Sequence, residues 1–345
     1  MPTTKKLITA SAWFALLVIL LYWAMRKAPL PEILASLQLL QAWQIVALLL
    51  LNSLIFCLIT ARWWLIVQAE ARQIRFWPLI TFRLAAFGLS YFTPGPQIGG
   101  EPLQILYLKR SYGLTTVRAT AAVLMDKLLE FLANFLFLAI GLFAVTRSGM
   151  LARFTPSAWI AIPLGLVLLW PLVHILLLYQ HKHPLSALLA PLRHRLDAGI
   201  GPNTQTASWQ RMLQPWQTGF ANSLRLIIVS EHLAALFCRR HLKTVLAALA
   251  VSLLAWAGML LEYLGMLHFL AVHLNFSQTL AALTVVRLSF LAPLPAGLGA
   301  LEASQVFAFT SFGLPAALGI SLSLLMRGRD LLLGGLGLLI AALKK

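Results

Sequence analysis

Apolar residues dominate six stretches, near 7–25, 41–61, 118–145, 157–180, 243–272 and 315–342, each long enough for the about 20 helical residues that cross a bilayer. Two more, 77–107 and 277–312, are broken midway by Pro94-Gly95-Pro96-Gln97-Ile98-Gly99-Gly100 and by Pro293-Leu294-Pro295-Ala296-Gly297-Leu298-Gly299. Neither half of either stretch can cross alone. Pro and Gly interrupt a helix and free backbone groups, which survive at membrane depth only inside protein or beside a water-filled cavity. The pattern predicts an all-α polytopic membrane protein, with about six transmembrane helices plus two re-entrant helical hairpins. Lys5 and Lys6 followed by residues 7–25 resemble a signal peptide, but the run carries Trp13, Tyr22 and Trp23 and ends in Met25-Arg26-Lys27 without a small-residue cleavage pattern. It reads as an anchor helix.

Composition agrees: 60% of the chain is hydrophobic and 11% charged, against about 25% charged in soluble domains. A net charge of +17 would suggest nucleic acid in a soluble protein. Here the bases lie in short loops between apolar runs, so anionic lipid headgroups are the expected counter-charge and nucleic acid is not. With the N-terminus inside and each hairpin returning to its own side, eighteen Lys and Arg, Arg62 among them, lie in inside loops and four lie outside. The positive-inside rule then puts both termini in the cytoplasm of a bacterial inner-membrane, multi-pass protein. Residues 1–345 form one membrane domain: the anchor, a first repeat over about 41–145, a linker helix over 157–180, a polar cytoplasmic loop over 181–242 with an amphipathic helix near 219–236, and a second repeat over about 243–342.

The repeat rests on self-similarity at about 200 residues. Ser111-Tyr112-Gly113-Leu114 recurs as Ser311-Phe312-Gly313-Leu314, Lys127 matches Arg327 and Glu130 matches Asp330. At slightly larger offsets Glu101 matches Glu302 and Arg83 matches Arg287. Each unit reads as a span, a broken hairpin and a span, and the two run in opposite senses through the membrane. Inverted repeats with interrupted helices are a plan of secondary transporters, with the site at the repeat interface.

Six of the ten acids, Glu101, Asp126, Glu130, Glu262, Glu302 and Asp330, fall in apolar stretches together with Arg83, Lys127, Arg287, Arg327 and Arg329. At about 2.5–3.5 kcal/mol each near a helix centre, these eleven would cost about 30 kcal/mol unpaired, more than the about 5–15 kcal/mol that holds a domain folded. They must be paired, hydrated or close to an interface. In a structural reading, Arg83 with Glu101 and Arg287 with Glu302 clamp the hairpin halves, and Lys127 pairs with Glu130 one turn on. In a functional reading, the hairpin tips point backbone amides and arginines into a hydrated pocket that takes a phosphate headgroup, whose charge Glu101 and Glu302 balance. The candidate lipid-binding residues are Arg83, Pro94, Gly95, Gly99, Gly100, Glu101, Lys127, Glu130, Arg287, Pro295, Gly297, Gly299, Glu302, Arg327 and Asp330. Asp126, Glu262 and Arg329 lean towards structure.

Other signals are weaker. The glycines lack the Lys-Ser/Thr ending of a nucleotide loop, and His181-Lys182-His183 and His194 lack metal-ligating partners. Trp63, Trp64 and Trp77 read as interfacial anchors. Cys57 and Cys238 do not make a disulfide framework. No catalytic motif or cofactor is expected.

The run Arg83 to Tyr91, Thr93-Pro94-Gly95, Gly99-Gly100-Glu101, then Ser111, Gly113, Ala119 and Asp126-Lys127, resembles the first signature of the lysylphosphatidylglycerol synthase transmembrane, or flippase-like, family. Pro293 to Glu302 followed by Gly313, Leu314, Pro315 and Arg327 resembles its second, and Arg62-Trp63 is similar to its early Arg-Trp pair. Pro96-Gln97 and Pro102 depart from the pattern. The resemblance implies a membrane domain that moves lipids between leaflets, as in the bacterial multiple peptide resistance factors. Those proteins also carry a soluble aminoacyltransferase domain, for which this chain has no room. The expectation is a non-enzymatic transporter or flippase for an anionic phospholipid or polyprenyl-linked lipid. The alternative is an accessory scaffold whose partner is a lipid-modifying glycosyltransferase.

Overall fold

The structure, a computed structural model, describes residues 31, 35, 38, 40–70, 74–92, 100–150, 158–199, 225–290, 297 and 299–343. The anchor stretch 7–25 and the candidates Pro94, Gly95, Gly99 and Pro295 lie outside the described residues. Among those described, the regular elements are helices: α1 Ala42–Glu70, α2 Phe76–Phe92, α3 Glu101–Tyr112, α4 Thr116–Arg147, α5 Ala158–Tyr179, α6 Pro184–Gly199, α7 225–240, α8 Leu242–Phe269, α9 Phe276–Ser289, α10 Ala300–Ser311 and α11 Ala316–Leu343.

Several boundaries are written locally. The Thr115 hydroxyl accepts from the Arg118 N–H and caps α4, and Asn275 and Gln278 form a reciprocal capping box at the start of α9. Just past α3 and α10, Gly113 (φ 66°) and Gly313 (φ 76°) adopt the left-handed conformation that side chains disfavour. The recurring Ser-aromatic-Gly-Leu is therefore a helix stop.

Three helices, Ala42–Ala69, Thr116–Arg147 and Leu242–Phe269, are long and apolar enough among the described residues to cross a membrane. Leu50, Leu54, Leu253, Leu254 and Leu261 stay exposed on two of them, as a lipid-facing surface requires. Helix α11 is 28 residues long but carries Arg327, Arg329 and Asp330. The expected loop 181–242 holds a helix where one was expected near 219–236, α7, and a further one, α6. They are joined by Glu231 of α7, whose buried carboxylate accepts the Leu185 and Ser186 N–H groups at the start of α6, at 2.8 and 2.7 Å. An acid on the positive end of a helix is favourable, and it fixes α6 where composition suggested only a loop.

Helices α1–α4 and α8–α11 form two runs of similar lengths, 29, 17, 12 and 32 residues against 28, 14, 12 and 28. Packing exchanges partners between them: α2 lies on α11, and α9 lies on α4. The approach of α2 to α11 is backbone to backbone, since a Cβ on Gly337 would stand 2.1 Å from the Leu84 carbonyl oxygen. Helices α1 and α8 pack along each other and run antiparallel: Trp43 meets Phe269 with ring centroids 5.5 Å apart, Leu48 faces Gly265, and Ile55 faces Gly258. The apolar core divides the same way. One cluster centres on Trp63, Leu108, Val123 and Leu129, the other on Tyr263, Leu283, Phe309 and Leu322.

Two expectations fail at the end of α1. Arg62 and Trp63 were assigned to a loop and an interface, but α1 continues to Glu70 and both are buried. Helix propagates past the apolar run because Arg62 finds carboxylates and Trp63 lies under the Arg83 guanidinium, 5.8 Å from its ring centroid.

Candidate functional site

A cavity of about 260 Å³ lies where the two helical runs meet. From α1 it takes Asn52, Phe56 and Arg62, and from α8 it takes Ser252, Trp256 and Glu262. These are matching positions 200 residues apart. Around them stand Arg83, Glu101, Gln104, Lys127 and Glu130 of the first run and Arg287, Arg329 and Asp330 of the second.

The first charge cluster is closed. Asp126 is fully buried, and each carboxylate oxygen takes one guanidinium at 2.7 Å, from Arg62 Nε and Arg83 Nη1. Glu130 accepts from Arg62 at 2.9 Å, Arg83 at 3.4 Å and Lys127 at 3.0 Å. Lys127 also reaches Glu101, at 3.1 Å. The expected Lys127–Glu130 pair forms because residues three apart share a helix face. The expected Arg83–Glu101 clamp is replaced. Asp126, sunk in α4, draws Arg83 inward, and α3 offers it Gln104 at 3.4 Å, while Glu101 faces Lys127. Gly100 ties the start of α3 to α2 by donating its N–H to the Ser90 hydroxyl at 2.8 Å.

The second cluster is open. Glu302 pairs with Arg327 through both carboxylate oxygens, replacing the expected Arg287–Glu302 clamp. This pair anchors the start of α10: Arg327 donates to the Gly297 carbonyl at 3.0 Å, and the Gly299 N–H donates to Glu302 at 2.9 Å. Glu101–Lys127 and Glu302–Arg327 are thus matching pairs. Arg329 binds Glu262 and its neighbour Asp330.

Arg287 differs from the other described cations of the cavity, because no carboxylate among the described residues comes within salt-bridge distance. Its guanidinium lies over Trp256, 4.8 Å from the ring centroid, and touches Met259 Sδ at 2.9 Å. Among the described residues its Nε is buried with no hydrogen-bond partner, as is Oε1 of Glu262 on α8. Position explains the lack: the residue matching Asp126 is Met326, and the residue matching Arg62 is Glu262.

The sequence matches the family described as the lysylphosphatidylglycerol synthase TM region over residues 9–337. The chain belongs to that family. No curated protein and no solved structure matches it. For this member of the lysylphosphatidylglycerol synthase TM family, a lipid-related function in a membrane follows.

Of the candidates from sequence, Arg83, Glu101, Lys127, Glu130, Arg287 and Asp330 line the cavity. Gly100 hydrogen-bonds to the end of α2, and Gly297, Gly299, Glu302 and Arg327 are joined by hydrogen bonds at the start of α10. Arg62 and Glu262 also line the cavity, although the sequence pattern places Arg62 in a loop and leans Glu262 towards structure. The same 200-residue offset that revealed the repeat also pairs these two, one on each of the antiparallel helices α1 and α8.

Proposed function

We propose that this chain carries a phosphate-bearing lipid headgroup, of an anionic phospholipid or a polyprenyl-linked lipid, between the leaflets of a bacterial inner membrane. The observation that carries the reading is Arg287: a half-buried guanidinium at a cavity wall, whose buried Nε has no acceptor among the described residues. Leaving such a donor unmade costs about 1–3 kcal/mol or more, which an arriving phosphate recovers. At about 260 Å³ the cavity falls below the about 300–1,000 Å³ of sites that enclose a whole drug-sized ligand. It suits a headgroup whose chains remain in the bilayer.

The exchanged packing and the antiparallel run of α1 against α8 support an inverted repeat, within six spans and two re-entrant hairpins. Withdrawing Arg62 from the inside loops leaves seventeen basic residues of the original eighteen against four outside, so cytoplasmic termini still follow. Movement of the lipid needs no covalent step.

The test is lipid exchange between leaflets of vesicles holding the purified protein. Exchange of labelled phosphatidylglycerol should exceed that of protein-free vesicles, and Arg287→Gln should reduce the excess about 10-fold or more, as expected for a lost charged hydrogen bond. Equal rates in all three preparations would overturn the reading and favour an accessory scaffold, with co-purification of a glycosyltransferase as its mark.

A further inference from the structure

We infer that the chain holds a second, shallower site at the membrane boundary, which binds the headgroup of an anionic phospholipid. A cavity of about 230 Å³ lies where Ala69 at the end of α1, Arg118 and Ala121 at the start of α4, and Phe237 and Arg240 at the end of α7 converge with His241. Among the described residues no carboxylate lines it. This contrasts with the central cavity, where acids and bases alternate. Arg118 and Arg240 are exposed and permanently charged, so their counter-ion comes from outside the protein.

Depth identifies that counter-ion. Ala69 closes one membrane-crossing helix and Arg118 lies in the first turn of another, so the groove sits where two spans leave the hydrocarbon, at headgroup level. Its rim is cationic and its floor, Ala69, Ala121 and Phe237, is apolar. A lipid phosphate above its own glycerol and first methylenes matches both; a soluble anion uses only the rim. The neighbouring helices reinforce the field, because the first turns of α4 and α8 contain no acid to offset Arg118 and Lys243. The inference stands on this groove alone and does not depend on transport through the central cavity.

The test places a photoreactive amino acid at Leu236, which lines the groove, in the full chain held in nanodiscs of phosphatidylcholine and phosphatidylglycerol. Phosphatidylglycerol should be captured in preference to phosphatidylcholine. Each arginine near an anionic surface contributes about fivefold in binding, so Arg118→Gln with Arg240→Gln should lower that capture about 25-fold. The Lys double variant should retain most of it, which separates lost charge from lost fold. Equal capture of the two lipids, or unchanged capture in the Gln double variant, overturns the site. Displacement of the lipid by millimolar inorganic phosphate would also overturn it, in favour of a soluble-anion pocket.

Discussion

In the first helical run Asp126 sits between Arg62 and Arg83, 2.7 Å from each. In the second, the matching positions are Met326, Glu262 and Arg287, and nothing closes the gap. The two runs share helix lengths, helix stops and the pairing of a hairpin acid with the base at 127 or 327, but they spend their buried charges differently. A carboxylate flanked by two arginines holds three helices together. An arginine resting on Trp256 and Met259 holds nothing, and can bind an arriving anion without first breaking a salt bridge. Under the proposed function, the asymmetry divides the work: the first half holds and the second receives.

The largest effect should follow from breaking the closed half. Asp126→Asn leaves two buried guanidinium groups short of a counter-charge, and removing one partner of such a pair costs about 3–5 kcal/mol. Thermal unfolding in detergent should show early melting or no folded protein, and Arg83→Gln should approach it. Arg287→Gln, which breaks no ion pair, should melt close to wild type. If the two arginine variants melted alike, the distinction between the halves would fail.

Much of this was legible in the sequence, for definable reasons. The all-helical class, the breaks between α2 and α3 and between α9 and α10, and the Lys127–Glu130 pair depend on local chemistry or on helix period. The partners of Arg83 and Arg287 were not legible, because a long guanidinium arm reaches several helices and buried carboxylates compete for it. Asp126 won Arg83 because it lies deeper than Glu101. Glu231 was missed because α6 and α7 lie in a polar stretch, where only the fold brings the carboxylate to the amides of Leu185 and Ser186.

A smaller effect should separate this junction from both clusters. His183 stacks on His232 with ring centroids 3.7 Å apart and lies near Glu231 and His181, and His174 in turn meets Glu231 at 3.5 Å. Burial, then the neighbouring His232, holds the His183 imidazole below its usual range. Its neutral form is favoured in the fold, so its contribution is present above the ordinary imidazole pKa of about 6.5 and is lost as pH falls through it. Hydrogen exchange at Leu185 and Ser186, corrected for intrinsic rates, should therefore quicken between about pH 7.5 and about pH 5.5, while helix α4 stays protected. Equal loosening of both would dissolve the separation.

The most direct measurement supplies the missing acid. Met326→Asp puts a carboxylate at the position that closes the first half, where it can pair with Arg287 across the cavity wall. Leaflet-to-leaflet exchange of phosphatidylglycerol in reconstituted vesicles should fall about 10-fold or more, as a charged contact of about 1.5–3 kcal/mol is occupied, with the melting temperature unchanged or raised. A variant that melts like wild type and exchanges lipid at the wild-type rate would contradict the claim that the open guanidinium receives the headgroup.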